Sequence, residues 1–212
     1  MREKGQAASK HAAFAALAAV LLLSSCTMLN EMASSLANLR RLQFKIGGVR
    51  DFRLGGIDIS GVSSIGQFSP ANALTLVRAF SAKRLPAEFV LEVVAVNPND
   101  GTGGSSQTAS TLVSLESRLL IDGRPTITGD IERPLEIPGT GQESIVPIRM
   151  SLDMYEFFGE KRYEDLINLV LALGGANRSP SRLALDAQPR VTTPLGPIAY
   201  PGRITIVDKE FR

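Results

Sequence analysis

The stretch Pro86 to Asn99, PAEFVLEVVAVNPN, decides the fold. Its side chains alternate: Phe89, Leu91, Val93 and Ala95 point one way, Glu88, Val90, Glu92, Val94 and Val96 the other. That is the period of a β-strand. Asn97-Pro98-Asn99 ends it, because proline cannot donate to a ladder and drives its predecessor out of the helical region, while asparagine folds its side chain back onto the chain in a turn.

The same grammar extends on both sides. Upstream, Leu42, Phe44 and Ile46 alternate with Gln43 and Lys45, and Phe52, Leu54, Ile57 and Ile59 continue around Gly55-Gly56, as two strands and a turn with room for a bulge. Ser69-Pro70 has the form of a helix start, with Ala73, Leu74, Val77 and Phe80 as the expected apolar stripe; a strand over 71–80 is the alternative. Downstream, Ala109 to Ile121 and Pro125 to Pro138 flank Asp122-Gly123, a tight hairpin signal. Ser144 to Leu152 alternates again, and Pro147 assigns it to a sheet edge or a bulge. Leu183 with Leu185, and finally Gly202 to Val207, supply further strands. Short strands divided by glycine and proline turns predict an all-β, antiparallel sandwich.

One segment departs from a plain sandwich. Over Asp153 to Leu173, Asp153 and Glu156 have the spacing of a reciprocal cap, and Tyr163, Leu166, Ile167, Val170 and Leu173 form a helical stripe that ends at Gly174-Gly175. Gly159 divides it into a short turn and a longer helix. Such a helix either closes an end or an edge of the sandwich, or covers a groove for an apolar ligand lined by Phe157, Phe158, Ile167 and Val170.

The start of the chain concerns location. Arg2, Lys4 and Lys10 precede an apolar run from Ala12 to Leu23, and Leu23-Ser24-Ser25-Cys26 closes it. A basic start, a short apolar block and small residues before a cleavage point describe a signal peptide; the block is too short for a bilayer-spanning helix, which needs roughly 20 apolar residues. Leu23, Ser24, Ser25 and Cys26 resemble the lipobox of bacterial lipoproteins, in which the cysteine is acylated and becomes the first mature residue. An ordinary secretory signal is the alternative. The expected organisation is a signal over 1–25, a tether over 26–40 with Met28, Leu29, Met32, Leu36 and Leu39 on one helical face, either lying near the bilayer or packing as a first helix or linker on its own domain, and one sandwich domain over 41–212. By resemblance, Thr27 after the cysteine fits sorting to the outer membrane.

Removing the first 25 of 212 residues leaves 187, with 20 basic and 20 acidic side chains in place of 23 and 21. A neutral chain without a basic run gives no footprint for nucleic acid. Cys26 is the sole cysteine and His11 the sole histidine. Once Cys26 carries lipid, the mature protein has no thiol for a disulfide, a zinc site or a nucleophile, and no histidine for acid-base work or metal ligation. Asp58, Asp122 and Asp130 fall in separate turns without calcium-loop spacing. Glu88 and Glu92 share a strand face, where solvated outer-face glutamates are a plainer reading than a hydrolytic pair. No catalytic residue, metal or cofactor is expected.

A valine-rich strand closed by Asn97, Pro98 and Asn99 resembles the motif of the late embryogenesis abundant type 2 domain, also called the water stress and hypersensitive response domain, as carried by bacterial lipoproteins. The resemblance extends over roughly Leu42 to Arg212. It implies an immunoglobulin- or fibronectin-III-like sandwich of about seven strands and an association with stress tolerance. Residues and resemblance together lead to the expectation of a non-catalytic protein of the cell envelope, attached to the membrane through acylated Cys26. Its sandwich would serve binding or protection, with an apolar ligand or another envelope protein as partner. A carrier or sensor of a lipid is the alternative, and a hydrolase using carboxylates alone the weakest reading.

Overall fold

The computed structural model describes residues 33–102, 107–177, 182–193, 196–208 and 211. A helix over 33–41 (α1) runs into β1 (Gln43–Leu54), which turns at Gly55-Gly56 into the short β2 (Ile57–Asp58). Both glycines have positive φ, 56° and 81°, a conformation that side chains resist. A 3-10 turn at Ile65–Gln67 and α2 (Pro70–Ser81) lead to β3 (Pro86–Val96). Then come β4 (Ser110–Ile121), β5 (Arg124–Gly129), β6 (Leu135–Ile137) and β7 (Glu143–Asp153). Two helices follow, α3 (Met154–Phe158) and α4 (Tyr163–Gly174), and the chain closes with β8 (Leu183–Thr193), β9 (Gly196–Ala199) and β10 (Ile204–Ile206).

The strands form two antiparallel sheets. One has the order β2-β1-β3-β7. The other has β10-β8-β4-β5, with β6 also on β4 and β9 also on β8. This is the expected antiparallel sandwich with added helices. Ala87, Phe89, Leu91, Val93 and Ala95 of β3 face inward and meet Leu112, Leu115, Leu119 and Ile121 of β4 in a single hydrophobic core. Phe52 and Phe89 stack with ring centroids 5.0 Å apart. At one side the sheets are joined by a backbone hydrogen bond from the Ile46 amide to the Val207 carbonyl, 2.8 Å.

Local chemistry explains the irregular points. The β4–β5 hairpin turns at Asp122 (φ 51°) and Gly123 (φ 75°), the primed turn that matches strand twist. Pro147 sits on β7, an edge strand. Pro189 lies inside β8, yet it falls between the β10 pairing at 185–187 and the β9 pairing at 190–193, where no ladder partner needs its missing amide.

Two expectations change. The stripe of α2 is rotated: Leu76 is fully buried, whereas Leu74 and Val77 are exposed. Apolar residues occur nearly all round this helix, so periodicity alone does not select the contact face. Over 33–41 the chain takes the alternative to a tether lying at the bilayer, a first helix docked on its own domain, with Leu39 in the core and Leu36 packed against it. The cap of α3 is simpler than a reciprocal box. Asp153 accepts hydrogen bonds from the amides of Tyr155 (2.9 Å) and Leu85 (2.8 Å), and so ties the helix to the start of β3.

Candidate functional site

Leu23, Ser24, Ser25 and Cys26 lie outside the described residues. Asn97, Pro98 and Asn99 lie at the end of the sandwich where α1 meets β1, and both asparagines are fully buried. Asn97 Nδ2 donates to the carbonyls of Thr108 (2.9 Å) and Ile137 (3.1 Å), while its Oδ1 accepts from the Asn99 amide (3.1 Å) and Asn99 Nδ2 (2.7 Å). Asn99 Nδ2 also donates to the Asn38 carbonyl of α1, 3.2 Å. The motif therefore fastens β3, β6, the start of β4 and α1 to one another. Gly139 permits the approach, since a β-carbon there would lie 2.5 Å from the Asn99 carbonyl oxygen. These residues form a structural joint.

At the opposite end, α4 crosses from the close of β7 to the start of β8. Phe158, Ile167 and Val170, three of the four residues expected to line an apolar groove, are at most 2% exposed and belong to the core. Gly174 rests directly on the Phe52 ring, where a β-carbon would overlap it. Phe80 of α2 contacts Tyr155 and Tyr163 edge-on, at 5.2 and 5.4 Å. Burial holds the Tyr163 hydroxyl above the usual tyrosine range. Only Phe157 is partly exposed, in an open depression it shares with Arg84 and Ile127 on the outside of the domain. The expected groove is thus occupied by the protein's own side chains: α4 buries apolar residues on most of its circumference, leaving no face to line a cleft.

A concavity exists elsewhere, on the outer face of the β1-β3-β7 sheet. Strand register places Arg50, Val90 and Arg149 in one row across the three strands, and Lys45, Val94 and Ile145 in another. Val90 and Val94 point away from the core yet are only 6% and 5% exposed. The link between β5 and β6 rises beside β7 as a wall. Asp130 fastens its base by accepting from the Leu115 amide (2.5 Å) and the Ser114 hydroxyl (2.7 Å) at a register shift of β4. Glu132 fastens its middle to Arg149, 2.8 Å, and this pairing raises the guanidinium above its usual range. Between wall and sheet lies a depression of about 350 Å³, with Val90, Ile145 and Pro147 as floor and Ile131 and Leu135 as flank. Three guanidinium groups and one carboxylate border it: Arg50, Arg133, Arg149 and Glu132. Arg50 is held by Glu92 at 2.8 Å and by Asp51, whereas Arg133 has no ion-pair partner among the described residues. Sequence reading missed this face. The available signal was valine at outward positions of β3, apolar on both faces where a solvated face calls for polar side chains.

Glu88 and Glu92 do not form the close pair that carboxylate hydrolysis uses. Glu88 and Glu92, four residues apart on one strand, are separated by about 13 Å at the rise of an extended chain, beyond the roughly 5–9.5 Å used in glycoside hydrolysis. Asp58 and Asp100 sit below the usual carboxylate range because the Ser60 and Thr102 hydroxyls and amides donate to them in exposed turns. Among the described residues no three His, Cys, Asp or Glu side chains converge as metal ligands, and no helix is long and apolar enough to cross a membrane. No protein-family model, curated protein or solved structure matches the chain.

Proposed function

We propose that this protein is a non-catalytic lipoprotein of the bacterial cell envelope, anchored through acylated Cys26, whose sandwich is a rigid module for binding or stress protection. The observation that carries the reading is the position of the chain's only cysteine, directly after Leu23-Ser24-Ser25 at the close of a short apolar block with a basic start. Acylation on more than one chain would make attachment stable, each buried methylene contributing about 0.8 kcal/mol. Thr27 after the cysteine favours the outer membrane as the destination. The mature chain has neither histidine nor a free thiol, which supports a role without chemistry on a substrate. Membership of the late embryogenesis abundant type 2 family is part of the proposal and rests on Asn97-Pro98-Asn99 and the strand before it. The stress role comes with that membership.

Changing Cys26 to serine tests the anchor. The expected outcome is loss of the protein from the membrane fraction or accumulation of the uncleaved precursor; unchanged attachment of a processed protein rejects it.

A further inference from the structure

We infer that the depression between the outer face of the β1-β3-β7 sheet and the β5–β6 wall is a binding site for a single-chain amphipathic carboxylate, an acyl chain ending in a free acid. This site is separate from the helical end and independent of the anchor.

Shape and charge both point to that ligand. At about 350 Å³ the space lies at the small end of ligand pockets, which span about 300–1,000 Å³, and so holds one chain rather than two. Its floor is apolar where the outside of a sandwich is ordinarily polar: Ile145 is 49% exposed, one of three large hydrophobic side chains so presented among the described residues, and it adjoins Val94 in the same row. Covering it removes apolar surface from water. The wall is held at both of its carboxylates, Asp130 on β4 and Glu132 on β7, so the space is formed before a ligand arrives.

Charge selects the head group. Arg50 and Arg149 already have carboxylate partners on the protein, which fix their guanidinium planes. Arg133, exposed on the wall and without such a partner, is the open position for a carboxylate, which a guanidinium binds through two parallel hydrogen bonds. A neutral head group would leave that charge uncompensated, and a short acid without a chain would leave the floor uncovered.

Binding can be measured on the chain from residue 27 onward, because every core residue among the described residues lies between Leu39 and Ile206. Decanoate titrated into this protein, followed by amide and methyl NMR shifts, is expected to bind saturably and to move Val90 and Ile145 signals. Arg133→Ala should weaken binding by about tenfold or more, the scale of a charge-assisted hydrogen-bond pair, and Ile145→Ser should weaken it also. Both side chains are exposed, so both variants keep the fold. Decanol should bind at least about tenfold more weakly than decanoate for the same reason, and acetate should not saturate. Equal binding of decanol, indifference to Arg133→Ala, or shifts confined to the α3–α4 end would each overturn the assignment, as would absence of saturable decanoate binding. Because the protein used lacks Cys26, a negative result bears on the site alone and leaves the anchor to its own test.

Discussion

The two ends of the sandwich are sealed by different physics. At one, α2, α3 and α4 fill the opening with apolar volume, with Ile167 and Val170 fully buried and Gly174 seated on Phe52. At the other, two buried asparagines close it with hydrogen bonds that reach the backbone of α1, β4 and β6. The contrast follows from what each end must join. Helices can bury a continuous stripe against the core, whereas turns bring together carbonyls and amides that need partners once buried. The amide end also holds α1, the first element of the described residues.

The largest effect separates a filled end from a ligand groove. Ile167→Ala should cost about 2–5 kcal/mol, the range for truncating a fully packed core residue, in a urea denaturation series. A loss below about 1 kcal/mol would mean that the side chain borders free space, and the contrast between the ends would fail. Next is the amide end. Asn97→Ala takes the side-chain partner from the Ile137 carbonyl and the Asn99 amide in a buried setting, with an expected cost of about 1–3 kcal/mol and faster hydrogen exchange at the Asn99 amide. An unchanged stability curve would reduce the motif to a surface turn.

The smallest effect is electrostatic. Asp100 follows the motif in an exposed turn, and the Thr102 hydroxyl and amide hold its carboxyl below the usual carboxylate range. Because the folded value is the lower one, its contribution is fully present above the unfolded value and is lost as pH falls through the folded one. Thr102→Val removes the larger of these donors, and the Asp100 titration followed by NMR should move up toward the usual carboxylate range. No movement would detach this turn from the hydrogen-bonded end.

The comparison also explains what could be read from sequence. Strands were legible because alternation in β3 and β7 and the Asp122-Gly123 turn are local signals. The division of α3 from α4 at Gly159 was legible too, since a β-carbon there would lie 2.5 Å from the Tyr155 carbonyl oxygen. The facing of α2 was not: Leu74, Leu76 and Val77 are equally apolar, and docking selects Leu76. Nor was the filled end, because Phe158, Ile167 and Val170 read identically whether they meet a ligand or the opposite sheet. The outer depression was the least legible, since its parts come from β1, β3, β7 and the β5–β6 wall, and only register brings Arg50, Val90 and Arg149 into one row.

The proposed function rests on acylation of Cys26, so the most direct measurement is the mass of the N-terminal peptide of the protein extracted from membranes. The account predicts a peptide that begins at Cys26 and carries acyl groups on it. A mature peptide beginning at another residue, or an unmodified Cys26 within a membrane-held chain, would contradict it.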